Sequence, residues 1–168
     1  VAWRDRSRGG ERRPDAPASA CPVGADDVES RWIASNVHLQ RQRGYAAVTM
    51  RVRQGDLSPE QLRGLAALLD ALPGAAARVD VDQNLVVRWI PFGRLRDLRE
   101  SLVALGLGTA SDLDPVTCPG ADTCKLGITS PRSIAADVER ALAPLRDAPR
   151  VAALRVHVRG CPTSCARH

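Results

Sequence analysis

The sequence predicts an α+β fold, with helices packed on one face of a small, mostly antiparallel sheet. Three observations predict it: apolar and polar residues alternate through Ala46–Arg53, a helical period begins at Ser58, and strand-like then helix-like segments recur between Arg78 and Leu105. Together they give the order strand, helix, strand pair, helix.

Residues 1–30 are rich in Arg, Gly, Pro, Ala and Asp and have no apolar period, so they read as a linker or tail containing Trp3 and Cys21. The strand that follows sets Val48, Met50 and Val52 on one side. The next helix has Ser58 as its cap, Pro59 in the first helical position and Gln61 three residues after the cap; Leu62, Leu65, Ala66 and Leu69 form its apolar face and Gly74 its stop. Arg78–Ile90 divides into two short strands, with Val79 and Val81 before a polar Asp82-Gln83-Asn84 turn or bulge and Leu85, Val86, Val87 and Trp89 after it. A second helix is expected from about Phe92 to Leu105, with Leu95, Leu98, Leu102 and Leu105 at helical spacing and Gly106 near its end. After Gly108 a polar loop leads to Cys118, and a helical stretch covers Pro131 to Leu145. Val151–Val158 then reads as a strand with Leu154, Val156 and Val158 inward and Arg155, His157 and Arg159 outward.

A chain of 168 residues buries one core. Its start at Val1 and its end three residues after a cysteine suggest a piece of a longer polypeptide. The net charge of +5 and pI of 9.4 invite an acidic partner, but the basic residues, all arginine except Lys125, are scattered among Asp and Glu. With only 3% aromatics there is no stacking platform, so no nucleic-acid partner is expected. No run approaches the roughly 20 apolar residues of a membrane span, and the N-terminus lacks a secretory segment. A cytoplasmic protein is expected, and in a reducing compartment five cysteines, an odd number, point to metal ligation rather than disulfides.

Cys118-Pro119-Gly120-Ala121-Asp122-Thr123-Cys124 and Cys161-Pro162-Thr163-Ser164-Cys165 are two cysteine pairs carried by two loops. Gly120 and Gly160 let the backbone wrap tightly, while Pro119 and Pro162 stiffen it. Structural zinc favours pairs two to four residues apart, often with His, whereas a cubane accepts wider and unequal gaps. Spacing therefore ranks an iron-sulfur cluster above zinc, and zinc above incidental cysteines. His38 and His157 fall at exposed positions of the pattern and His168 ends the sequence, so no histidine ligand is expected.

Cys118 to Ile128, CPGADTCKLGI, with Gly160 to Cys165, GCPTSC, resembles the cluster signature of the sirohaem nitrite and sulfite reductases. Gln40-Arg41-Gln42-Arg43-Gly44-Tyr45 and Asp82-Gln83-Asn84-Leu85 resemble the ferredoxin-like repeat that precedes the cluster segment in those enzymes. The resemblance covers about Trp32 to His168. It implies a tail (1–30), a ferredoxin-like nitrite/sulfite reductase half repeat (31–107) and the truncated start of the 4Fe-4S/sirohaem-binding α+β domain (108–168), all from the C-terminal half of a two-repeat enzyme.

The resemblance further implies that Cys118, Cys124, Cys161 and Cys165 hold a 4Fe-4S cluster and that Cys165 also bridges it to the sirohaem iron. Sirohaem carries many carboxylates, which makes Arg41, Gln42, Gln83, Asn84 and Lys125 candidates to bind it. Ferredoxin or a flavoprotein would supply six electrons to reduce nitrite to ammonia, or sulfite to sulfide, with nitrite favoured. The KLGI after Cys124 leans toward these reductases over a cobalamin-pathway oxygenase on the same scaffold. The alternative from another class is a zinc module with a basic surface. Two features depart from the family pattern: Thr163 stands where relatives usually have Asn, and the residues that bind the substrate anion belong mainly to a repeat absent here. No catalytic residue is assignable, and this piece alone is expected to be inactive.

Overall fold

Alternation in Tyr45–Met50 produces one of the two inner strands of the sheet. The computed structural model describes residues 26–108, 115–145, 148 and 154–166, so Trp3, Cys21 and His168 lie outside the described residues. The elements are α1 (Asp27–Asn36), β1 (Val37–Leu39), β2 (Tyr45–Met50), α2 (Pro59–Asp70), β3 (Ala76–Val79), β4 (Leu85–Pro91), α3 (Leu95–Ala104), β5 (Val116–Thr117), α4 (Pro131–Leu142) and β6 (His157–Val158). Strands β1 to β4 form one antiparallel sheet in the order β1-β2-β4-β3, and β5 pairs with β6 in parallel.

One face of the sheet, carrying Ala46, Val48, Met50, Val87 and Ile90, buries against Trp32 of α1, Leu65 of α2 and Leu95, Leu98 and Leu102 of α3. The mixed helix-and-sheet fold is the one the sequence predicts. The apolar row of α3 is also as expected, with Leu105 packed at its edge.

Several elements differ from the sequence reading, each for a physical reason. Helix α1 begins at Asp27, within the stretch read as tail, because Asp26 caps it by accepting the Glu29 N–H at 2.6 Å. Only Trp32 and Ile33 are large apolar residues in contact with the core, too few to show a period. In α2 the buried row is Leu65, Leu68, Leu69 and, just beyond it, Leu72, at the i, i+3, i+4, i+7 spacing; Leu62 and Ala66 face solvent. Val81 is no strand residue. It is exposed in the turn between β3 and β4, where the Asp80 carboxylate accepts the N–H groups of Asp82 and Asn84.

The irregularity in β4 lies further along than expected. Ala46 pairs with Ile90 but Val48 pairs with Val87, so Arg88 and Trp89 together oppose Ala47 as a β-bulge. Trp89 adopts φ +68°, its N–H donates to Gln40 Oε1 at 2.8 Å, and Tyr45 meets its ring edge-on at 5.8 Å. The bulge lets both Val87 and Ile90 face the core.

After β2 the chain enters a tight turn at Arg53–Gly55, with Gln54 at φ +54°, instead of running extended to Arg53. The final strand comprises His157 and Val158 only; Leu154 is exposed, and Val151 to Ala153 lie outside the described residues. His157, expected outward, is half-buried.

The cap of α2 is as predicted. Ser58 Oγ accepts the Gln61 N–H and Gln61 Oε1 accepts the Ser58 N–H, while Gln61 Nε2 also donates to the Leu105 carbonyl at the end of α3. Ser58→Ala should therefore cost about 1 kcal/mol, and Gln61→Ala, which removes two bonds, about 1.5–2 kcal/mol. Chemical denaturation of the two variants checks the order.

Candidate metal centre

The two cysteine loops meet through the peptide of one glycine. Strand β5 delivers Cys118 and β6 delivers Gly160 side by side, with the Cys118 N–H donating to the Val158 carbonyl. The Gly160 N–H then points at Cys118 Sγ, 3.2 Å away. The Gly160 carbonyl accepts the N–H groups of Ile128 at 2.8 Å and Thr129 at 3.2 Å. Both backbone polar groups of Gly160 bind the first loop to the second.

The first loop folds back on itself. Cys124 N–H donates to the Gly120 carbonyl at 2.8 Å, Gly127 N–H to the Cys124 carbonyl, and Ala121 N–H to the Thr129 carbonyl. Gly120 has φ +59°, and a Cβ built there would lie 2.0 Å from Pro131 Cδ. A Cβ on Gly160 would lie 2.8 Å from Gly120 Cα. Backbone packs against backbone here, which requires residues without side chains.

The second loop is tied at its base by His157, whose Nδ1 lies 2.7 Å from the Ala166 carbonyl and donates to it. Arg159 donates to Ser164 Oγ, which in turn donates to the Pro162 carbonyl. Thr163 Oγ1 sits 2.9 Å from Cys161 Sγ, and this hydroxyl, with the Thr163 backbone N–H, holds the Cys161 thiol below its ordinary pKa. The Thr163 that departs from the family pattern thus favours a thiolate beside it.

All four cysteines are free thiols: Cys118 is buried, Cys161 half-buried, and Cys124 and Cys165 exposed. Among the described residues no three His, Cys, Asp or Glu side chains lie close enough to share one ion. The donor chemistry fits a thiolate-bound cluster nonetheless. Four free thiols stand on two interlocked loops, and a backbone N–H is aimed at one sulfur and a hydroxyl at another, as thiolate ligands require.

The remaining candidates are dispersed. Arg41 and Gln42 are exposed in the turn between β1 and β2, while Gln83 and Asn84 precede β4 at the opposite end of β2. Lys125 is exposed beside Cys124. Asn84 is buried and its Oδ1 accepts the Val52 N–H at 3.1 Å. Gln83 Nε2 donates to the Thr117 carbonyl at 2.6 Å and Gln83 Oε1 accepts the Thr117 N–H at 3.2 Å. The sequence reading missed this contact. The same reading gave no sign of the pairs that dock α4: Arg132 with Asp56 at 2.7 Å, Arg53 with Glu139 at 2.9 Å, and Gln54 Nε2 with the Arg132 carbonyl at 3.2 Å. No local pattern marks contacts so far apart in sequence.

Residues 38–105 match the profile of the nitrite/sulfite reductase ferredoxin-like half domain. The chain is 31% identical over 159 residues to a ferredoxin–nitrite reductase of Synechococcus elongatus, covering 90% of this chain and 30% of the relative. It is 32% identical over 161 residues to sulfite reductase [ferredoxin] 1 of Mycolicibacterium paratuberculosis, covering 91% and 27%. The solved structure of the Mycobacterium tuberculosis NirA protein superposes with a TM-score of 0.63 at 29% identity, covering 92% of this chain and 27% of that one. The chain thus spans less than a third of the length of these relatives.

Proposed function

We propose, from the premise that this chain belongs to the nitrite/sulfite reductase family, that it forms the electron-delivery part of a ferredoxin-dependent sirohaem nitrite reductase, which reduces nitrite to ammonia. The observation that carries this reading is the Gly160 peptide, which locks the Cys118 and Cys161 loops together. In the proposed division the half repeat begins with α1 and runs to 107, and 108–168 is the start of the cluster domain.

Cys118, Cys124, Cys161 and Cys165 would hold a 4Fe-4S cluster, with Cys165 also reaching the sirohaem iron. When bound, these groups store electrons and present an iron to the anion. The chain's own residues prepare the thiols. The Gly160 N–H is aimed at the Cys118 sulfur, and the Thr163 hydroxyl favours a thiolate at Cys161. Exposed Arg78 and Arg88 stand on the sheet face turned away from the core, where cations suit a carboxylate-rich group. Arg41 and Lys125 are exposed cations able to contribute the same chemistry, and exposed Gln42 can add amide N–H donors. Ferredoxin is the proposed donor, with a flavoprotein the other choice.

Sulfite reduction is the second reading, favoured by the mycobacterial relative named for it. Anaerobic loading of the intact protein should give iron and labile sulfide at about four each, and assays with both anions should show faster turnover of nitrite. A protein that takes up no iron overturns the cluster. Faster sulfite turnover overturns the choice of anion.

A further inference from the structure

Two glutamines, Gln54 and Gln83, adopt left-handed backbone conformations, with φ +54° and +62°. Each costs roughly 1 kcal/mol relative to an ordinary conformation and persists only where surroundings hold it. Both spend their side-chain amides on the backbone of the cysteine segment. Gln54 donates to the Arg132 carbonyl at 3.2 Å, and Gln83 pairs with both polar groups of Thr117, the residue before Cys118. The Gln83 amide is also packed from behind. A Cβ at Gly55, itself at φ +74°, would lie 3.2 Å from Gln83 Cβ and 3.4 Å from Gln83 Cδ. The Arg53–Gly55 turn is therefore shaped to admit that side chain.

An amide presenting one donor and one acceptor to a peptide acts as an extra rung beside β5. Thr117 pairs with Val158 in the parallel ladder, and Gln83 occupies its own N–H and carbonyl. We propose that Gln83 is a positioning residue: its amide, seated against Gly55, fixes the backbone of Thr117 and thereby sets where the Cys118 sulfur is presented. This rests on the reading of Cys118 as a cluster ligand. The consequence is a mechanical link from the sheet to one corner of the cluster, made by a residue that touches neither iron nor sulfur.

The test uses the intact protein with Gln83→Met, which keeps the length and loses the hydrogen bonds, and Gln83→Gly, which loses them while relieving the positive φ. Without iron, hydrogen exchange at Thr117 and alkylation of Cys118 by iodoacetamide, mapped by mass spectrometry, should both speed up about tenfold. Exchange within β2 and β4 should be unchanged. After anaerobic loading with ferrous iron and sulfide, both variants should shift the midpoint potential and the electron paramagnetic resonance signature of the cluster, which mere destabilisation would not move. Thr117 and Cys118 staying as protected as in the wild type overturns the clamp. Faster exchange with an unchanged potential and signature overturns the positioning role. The exchange arm needs no iron, so a wild type that fails to load overturns the cluster reading while the clamp is still judged on Thr117 and Cys118.

Discussion

Cys118→Ser should leave the intact protein with less than about a tenth of the wild-type iron and labile sulfide after anaerobic loading. Cys118 is the buried thiol of the four and the one whose sulfur accepts the Gly160 N–H. A serine oxygen is shorter, harder and not ionised near neutral pH, so it offers iron a poor ligand while keeping the hydrogen bond. The fold should survive, because the swap leaves no buried group unpaired. Cys165→Ser gives the contrast: besides lowering the iron content, loss of the exposed Cys165 should alter the sirohaem absorption directly. Full iron and sulfide in Cys118→Ser, or an unchanged sirohaem spectrum in Cys165→Ser, would remove those roles.

Gly120→Ala should be severely damaging for the addition of a single methyl. Its Cβ would fall 2.0 Å from Pro131 Cδ and 2.5 Å from the Thr129 carbonyl, on a backbone at φ +59°. Neither neighbour is a flexible side-chain end. Pro131 is a rigid ring at the start of α4, and the Thr129 carbonyl already accepts the Ala121 N–H. Overpacking and left-handed strain together should cost about 3 kcal/mol or more, and the cluster should be lost with the loop. Gly93→Ala is the control, since a Cβ there meets nothing within 4 Å. Denaturation midpoints of the two variants should separate clearly; equal midpoints would show that the loop yields more easily than its contacts imply.

What the sequence made legible follows the range of the interactions. The capping box of Ser58 and Gln61 and the Leu95, Leu98 and Leu102 row are local patterns, and the structure has them where the spacing put them. The face of α2 was read one step wrong because leucine and alanine surround that helix, and only the packing of Leu65 and Leu72 selects the buried row. Helix α1 was hidden because its anchors are polar as much as apolar: buried Asn36 donates to the Thr49 carbonyl, 13 positions away. At the candidate metal centre the motifs marked the cysteines but not their support. Gln83 reads from the sequence as a candidate for the cofactor, and the partner that the structure gives it, Thr117, is 34 positions away with no periodic signal joining them.

The parallel pairing of β5 with β6 has a consequence for the order of events during folding. The Gly160 amide and the Cys118 sulfur are 42 positions apart, about as far as β2–β4 partners such as Ala46 and Ile90, but β2 and β4 are strands of six and seven residues whereas β5 and β6 have two each. Closing a loop of that length costs about 3 kcal/mol of chain entropy, and two-residue strands return little of it. The cysteine loops therefore meet late, after the sheet has formed, and part readily when nothing bridges them. A ligand gripping both loops would draw that last closure to completion, so that metallation and the final folding step form a single equilibrium.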